Sequence, residues 1–252
     1  RSCLPMPRKI AVPSVTPIDV SRLKTYPLKT RSSKVKMSDF SIPWRRGGSF
    51  AKFLSGLPDI LAVKTLRSLA TAIAQARRKG RPVIVGMGAH PTKVGLNPVL
   101  VDLMQRDIVT AMAFNGAVVI HDFELALMGH TSEEVEAEID SGRFGMAEET
   151  GCLINQAIVQ GVQKGFGIGE AVGHYILSRR KQFPNWKTSL LAIGVKRNIP
   201  MTVHVAMGTD ITHMHPAADG AAIGEGSLRD FRKLTAVISK MEGGVYLNLG
   251  SA

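Results

Sequence analysis

Between Met201 and Pro216 the chain reads Met-Thr-Val-His-Val-Ala-Met-Gly-Thr-Asp-Ile-Thr-His-Met-His-Pro. The first part is apolar and β-branched, the composition of a buried strand. The run breaks at Gly208, and Thr209, Asp210, His213 and His215 follow within seven residues. In an open α/β sheet, ligands sit in the crevice beyond the carboxyl ends of the strands. A strand that ends in titratable groups therefore constrains both the fold and the place where chemistry can occur. Three of the seven histidines, His204, His213 and His215, lie in this run.

Upstream, strand-like and helix-like segments alternate. Residues 49–79 have helical spacing in two pieces, with Pro58 opening the second. Pro82–Met87 reads as a strand, 97–106 as a helix with Pro98 in its first turn, 108–114 as a second strand and 122–128 as a short helix. Thr131 and Glu134 have the spacing of a capping box for a helix to Asp140. Further helices are expected over 146–163, 169–182, 189–196 and 227–240, and strands over 201–206 and 245–249. Strands separated by helices predict a parallel sheet with helices on both faces, a Rossmann-like α/β fold. The last strand reaches a Gly-Ser turn where another helix should follow, so the chain is expected to be truncated at its C-terminus.

Charge divides the chain unevenly. Residues 1–81 hold 18 Lys and Arg against 3 Asp and Glu, whereas 82–252 hold 14 against 17. Residues 1–48, with six prolines and many Ser, Thr and Lys, predict an extended basic arm ahead of one α/β domain over 49–252. The arm has no recognisable nucleic-acid module, which favours an extension wrapping a neighbouring subunit over a polyanion contact. Cys3 and Cys152 are the only cysteines, too few for a disulfide framework or a cysteine zinc site. No apolar run reaches the roughly 18 residues of a membrane span, and the start lacks a signal-peptide core. The cytoplasm is the expected compartment, and Met6 is a candidate start.

Four polar clusters stand at element ends. Gly86-Met-Gly-Ala-His-Pro-Thr-Lys93 follows the first strand; small residues there allow a ligand close to the backbone, although a plain tight turn has the same composition. After the second strand, Asn115-Gly116 leads to His121, Asp122 and Glu124, with Asp122 equally able to serve as a helix N-cap. In the third, Asp210, His213 and His215 are candidate acid–base groups or metal ligands, while His204 fits a core role. The fourth, Ala218-Asp-Gly-Ala-Ala-Ile-Gly-Glu225, has the composition of an anion-binding loop before a helix. Gly165-Phe-Gly-Ile-Gly-Glu170 imitates a dinucleotide fingerprint but lacks the sixth-position glycine and a preceding strand, and reads as a helix start with small packing residues.

In order and spacing these motifs resemble the deoxyhypusine synthase family. The strand with Gly88-Ala89-His90 and Gly95 is similar to that family's strand, Thr-Ser-Asn turn and later glycine. Asn115-Gly-Ala117 with His121-Asp-Phe-Glu124 resembles its Ala-Gly-Gly turn and acidic helix start. Ile199-Pro200, a strand and Thr209-Asp210 resemble its Ile-Pro, strand and Thr-Asp-Gly. Gly243-Gly-Val-Tyr-Leu-Asn-Leu-Gly-Ser-Ala252 resembles its last strand and glycine-rich turn. The resemblance spans about residues 60–252 and is closer to a bacterial synthase-like group of unassigned activity.

That resemblance implies a homotetramer, NAD at the strand ends, and transfer of an aminobutyl group from a polyamine. Carried over by position, Gly88, Ala89, His90, Asn115, Gly116, Thr209 and Asp210 would face NAD. His121, Asp122, Glu124 and Asp219 would line the amine subsite, and Asp210, Glu124, His213 and His215 would be the catalytic candidates, with no metal. The family's catalytic lysine falls beyond the turn at Gly250, a place Lys93 does not occupy. Two rival expectations are a metal-dependent hydrolase built on the His/Asp cluster 204–215 and a non-catalytic oligomeric binding protein.

Overall fold

The computed structural model describes residues 15–250, so Cys3, Met6 and the last residues of the glycine-rich turn lie outside the described residues. The chain divides into two compact units, 1–64 and 65–252. In the first unit residues 15–49 are almost all exposed, with short turns and no strand. Helix α1, Phe50–Gly56, starts at Ser49, whose hydroxyl accepts from the Lys52 amide. Helix α2, Leu61–Arg78, begins at the end of this unit. Pro58 lies ahead of it, in the link between the helices rather than at the first turn.

The second unit is the α/β body. Its strands are β1 (Val83–Met87), β2 (Ala111–Asn115), β3 (Met201–His204) and β4 (Val245–Leu249). All pair in parallel, in the order β3-β2-β1-β4. The chain builds outward from β1 to β3 and then crosses to the far side of β1, the half-sheet order of a Rossmann-like fold. The central strands β1 and β2 are buried almost throughout, while β4 alternates between half-buried and exposed residues. Between β1 and β2 lie α3 (His90–Lys93) and α4 (Asn97–Gln105). Between β2 and β3 lie α5 (Gly116–Met128), α6 (Val135–Glu138), α7 (Glu148–Gln163), α8 (Ile168–Ser178) and α9 (Leu190–Lys196). Helix α10, Gly220–Ile238, leads to β4. No helix among the described residues is long and apolar enough to cross a membrane.

Several elements differ from their sequence patterns. Helix α5 starts six residues before Asp122, because Asn115 is the N-cap and its Oδ1 accepts from the Val118 amide at 3.3 Å. Val118, Val119 and Ile120 are buried in the core, so the segment shows no one-sided helical stripe. Helix α10 starts at Gly220, because Asp219 Oδ1 accepts from the Ala221 and Ala222 amides at 2.9 and 3.0 Å. The glycine-rich stretch 220–225 is thus helix and not an anion-binding loop. The helix expected from Thr131 shrinks to the single turn α6, whose N-cap is Glu134 with no side-chain cap.

Close packing explains the glycines at 167, 169 and 173. A Cβ on Gly169 would strike the Met201 carbonyl, and one on Gly173 the Leu191 carbonyl. Helix α8 therefore seats its backbone directly on β3 and α9. Phe123 and Phe183 meet edge to face at 4.9 Å in this core, with Tyr175 beside them.

Candidate functional site

Three of the four clusters seen in sequence converge at the carboxyl ends of the strands. The chain leaves β1 into α3 with Lys93, leaves β2 into α5 with His121 and Glu124, and leaves β3 into a loop with Thr209 and Asp210. Lys93, His121, Glu124, Thr209 and Asp210 line one cavity of about 220 Å³, closed by Glu133 and Phe144 from the segment after α5. On the other side of Glu124 a second cavity of about 400 Å³ is lined by Leu127, Met128, His130, Thr131 and Thr150.

Glu124 and His121 are held by one hydroxyl. Thr131 Oγ1 donates to Glu124 Oε2, and Thr150 Oγ1 donates to Glu124 Oε1 at 2.8 Å. A carboxylate only accepts, so the single Thr131 proton is committed to Glu124. The 2.7 Å contact between Thr131 Oγ1 and His121 Nδ1 must then run from imidazole N–H to oxygen. This selects the Nδ1–H tautomer and leaves His121 Nε2 as an acceptor. Burial lowers the His121 pKa; Glu124 acts to raise it, and Lys93 and His90 to lower it. Neither threonine is singled out by sequence: Thr131 reads there as a helix cap, and its tertiary partners prevail.

Asp210 is the other centre. Its carboxylate fills the space beside Gly116 where a Cβ would stand. Burial raises its pKa, opposed by His213. His213 organises the loop: its Nδ1 accepts from the Gly208 amide at 3.1 Å and the Asp210 amide at 3.4 Å, and its Nε2 stands 3.8 Å from Asp210 Oδ2. Thr209 Oγ1 donates to the Ala206 carbonyl at 2.7 Å. Glu133 accepts from the Gly145 amide through both carboxylate oxygens, at 3.2 and 3.0 Å.

Several expected site residues do other work. Asp122 is fully buried in mid-helix and faces away from the cavity. Its carboxylate accepts from Ser189 Oγ at 2.6 Å, the Leu190 amide at 2.8 Å, the Leu191 amide at 3.2 Å and Asn97 Nδ2 at 3.0 Å. It caps α9 from a distance, and burial pushes its pKa up to about 6 against those bonds. Asp219 is the exposed N-cap of α10 and lines no part of the cavity. His215 is buried against Gly151, its Nδ1 accepting from the Ala217 amide and its Nε2 lying 3.4 Å from Glu148 Oε2. His213 acts on Asp210 rather than on the cavity. His204 rests half-buried, 3.0 Å from Thr202 Oγ1.

The histidines of the 204–215 run thus turn to different partners. Among the described residues no three of His, Cys, Asp and Glu are grouped as a metal ion would need. Gly88 and Ala89 are buried at the end of β1, His90 is exposed at the start of α3, and Asn115 and Gly116 stand at the end of β2.

The chain matches no family model and no curated protein by sequence. Solved structures give distant likenesses. The apo arginine dihydrolase ArgZ of cyanobacteria shares 20% identity over 76% of this chain, with a TM-score of 0.47; this chain spans a quarter (25%) of that one. A candidate deoxyhypusine synthase of Entamoeba histolytica shares 13% identity over 84% of this chain and 82% of its own, with a TM-score of 0.48. A conserved candidate LOR/SDH protein of Methanococcus maripaludis S2 shares 15% over 88% of this chain and 55% of its own, with a TM-score of 0.43. The fold assignment stands on the strand order and parallel pairing: the second unit is a Rossmann-like α/β body with its candidate site at the strand ends.

Proposed function

We propose that the strand-end cavity binds an organic amine and that the protein is an NAD-dependent transferase of the deoxyhypusine synthase type. The observation that carries this reading is charge. Glu124, Glu133 and Asp210 line a small cavity whose described lining includes a single Lys or Arg, Lys93. Carboxylates in a partly buried site favour an ammonium ligand, and such charge-assisted bonds are the stronger ones. The volume suits a small amine and is below the range of about 300 to 1,000 Å³ that houses larger ligands. A dinucleotide would therefore lie outside the cavity, over the strand ends at Gly88, Ala89, His90, Asn115 and Gly116, with Thr209 and Asp210 at its border.

NAD bound there would supply a hydride acceptor for the carbon that carries the amine. The residues of this chain would do the rest. Glu124 and Glu133 would hold the ammonium, Glu124 kept in place by the two threonines. His121 Nε2 would accept a proton from the amine, since burial favours the neutral ring and its tautomer leaves that atom open. Asp210 would meet the sugar or the amine, its position set by His213. The same reading takes the protein as a homo-oligomer, a tetramer in the cytoplasm, with the acceptor of the transferred group undefined.

The test is calorimetric titration of NAD, and separately of spermidine, into the full chain and into Asp210→Ala. Saturable binding of both, weakened in the variant, is the expected result. Spermidine binding without NAD would leave an amine-binding protein. Failure of both would sink the proposal.

A further inference from the structure

A further cavity lies away from the strand ends, between α7 and α8. Only four residues join these helices, so they pack side by side and antiparallel. Gln160 and Lys164 are four apart, as are His174 and Ser178, and each pair shares a face of its helix. All four line a cavity of about 240 Å³ together with Tyr175 and Arg179. No carboxylate is among the lining residues. Glu170, whose Oε1 stands 3.9 Å from His174 Nε2, is paired through its other oxygen with Lys233.

The cationic wall is held in place. The Arg179 guanidinium lies 3.6 Å from the centre of the Tyr175 ring. Its Nη1 donates to Ser178 Oγ at 3.1 Å and its Nη2 to Gln160 Oε1 at 3.4 Å. A guanidinium has five N–H donors, so further donors remain after these two bonds. Phe166 stacks on the His174 ring at 4.6 Å and 14° and adds a flat apolar wall. Lys164 and Arg179 are the C-caps of α7 and α8, and a cation there already answers the helix dipole. The dipole alone does not account for a cavity with the guanidinium braced by Tyr175, Ser178 and Gln160, nor for the stacked pair among its lining.

We propose that the α7–α8 groove binds a small phosphorylated molecule, its phosphate held by Arg179, Lys164 and Ser178 and its remainder packed on the Phe166–His174 pair. An arginine fork matches a phosphate bidentately and a lysine adds a point charge. The cavity has room for a phosphate and a few further atoms, which favours a free phosphate ester over a polymer. This site is independent of the amine reading.

The test uses the full chain with inorganic phosphate and pyrophosphate as probes, followed by calorimetry and 31P line broadening at constant ionic strength. Saturable binding is expected, weakened at least about tenfold in Arg179→Gln and in Lys164→Gln. Lys164 is exposed, so its variant should fold even if loss of the Arg179–Tyr175 stack unsettles the other. Absence of saturable binding, or equal binding by wild type and both variants, would overturn the proposal. Vesicles bearing a phosphoinositide and a single-stranded oligonucleotide form the other arms. Binding confined to either would overturn the assignment to a small soluble ligand.

Discussion

The Asp210 carboxylate packs directly on the Gly116 backbone, in the space where any other residue would carry its Cβ. This contact joins the end of β2 to the loop after β3 and sets one wall of the strand-end cavity. Gly116→Ala should therefore lose about 1–3 kcal/mol of unfolding free energy through overpacking. Adding Asp210→Ala should recover much of that loss, because the clashing group is gone. Urea unfolding of the two single variants and the double variant measures the coupling. Additive losses would mean that the two residues do not bear on each other.

A second prediction concerns Asp230. Its Oδ2 accepts from the Gly169 amide at 3.0 Å and the Val203 amide at 2.9 Å, tying α10 to α8 and to the edge strand β3. Burial pushes its pKa from 3.8 to about 6, against these two bonds and Lys233, with Glu170 acting alongside burial. A group that holds its proton more tightly when folded adds stability that is complete below its unfolded pKa and is lost as pH rises through the folded one. Between pH 3.8 and about 6, the stability of wild type relative to Asp230→Asn should fall by on the order of 2–3 kcal/mol. Unfolding titrations at several pH values would show it, and a flat difference across the window would refute it.

The Thr131 hydroxyl makes a spectroscopic prediction. Long-range 1H–15N correlations should show His121 protonated at Nδ1 and bare at Nε2, titrating below the ordinary value of 6.5. Thr131→Val removes the acceptor of the Nδ1 proton and should mix the tautomers. An Nε2–H signal in the wild type would reverse the donor order assigned to the Thr131–Glu124 bond.

Two acidic residues of the sequence motifs should separate cleanly. Asp219→Ala loses an N-cap, costing about 1 kcal/mol, and should leave spermidine binding intact. Glu124→Gln should lower spermidine affinity about tenfold or more while thermal stability changes little, because its neighbours Thr131 and Thr150 can still bond to the amide. Equal effects of the two changes on binding would contradict the placement of Asp219 outside the cavity.

The four strands were legible because their signals are local. Val83–Met87 and Met201–His204 are runs of residues that suit a pleated, buried ladder, although the second strand ends at His204, before the Gly208 at which its apolar run breaks. The convergence of Lys93, Glu124 and Asp210 followed from knowing that parallel strands present their carboxyl ends together. Asp122 was misread for a reason that no local pattern reveals. Its four donors come from residues 25 to 69 positions away, and only the docking of α9 and α4 on α5 makes it a buried cap. Thr131 and Thr150 were invisible for the same reason, since a threonine in sequence carries no sign of the carboxylate it will hold.

By itself, the sequence determined the alternation of strands and helices, hence the parallel sheet, and the crevice in which polar groups would gather. These depend on backbone propensity, hydrophobic burial and chirality, which act within a few residues. Tertiary structure decided which acids face the cavity and which are consumed in capping α8 and α9. It also decided which ring nitrogen of His121 is open, and brought Arg179 onto Tyr175 beside Gln160. A buried carboxylate or imidazole takes its role from the donors packed around it, and those arrive from distant parts of the chain only once the core has formed.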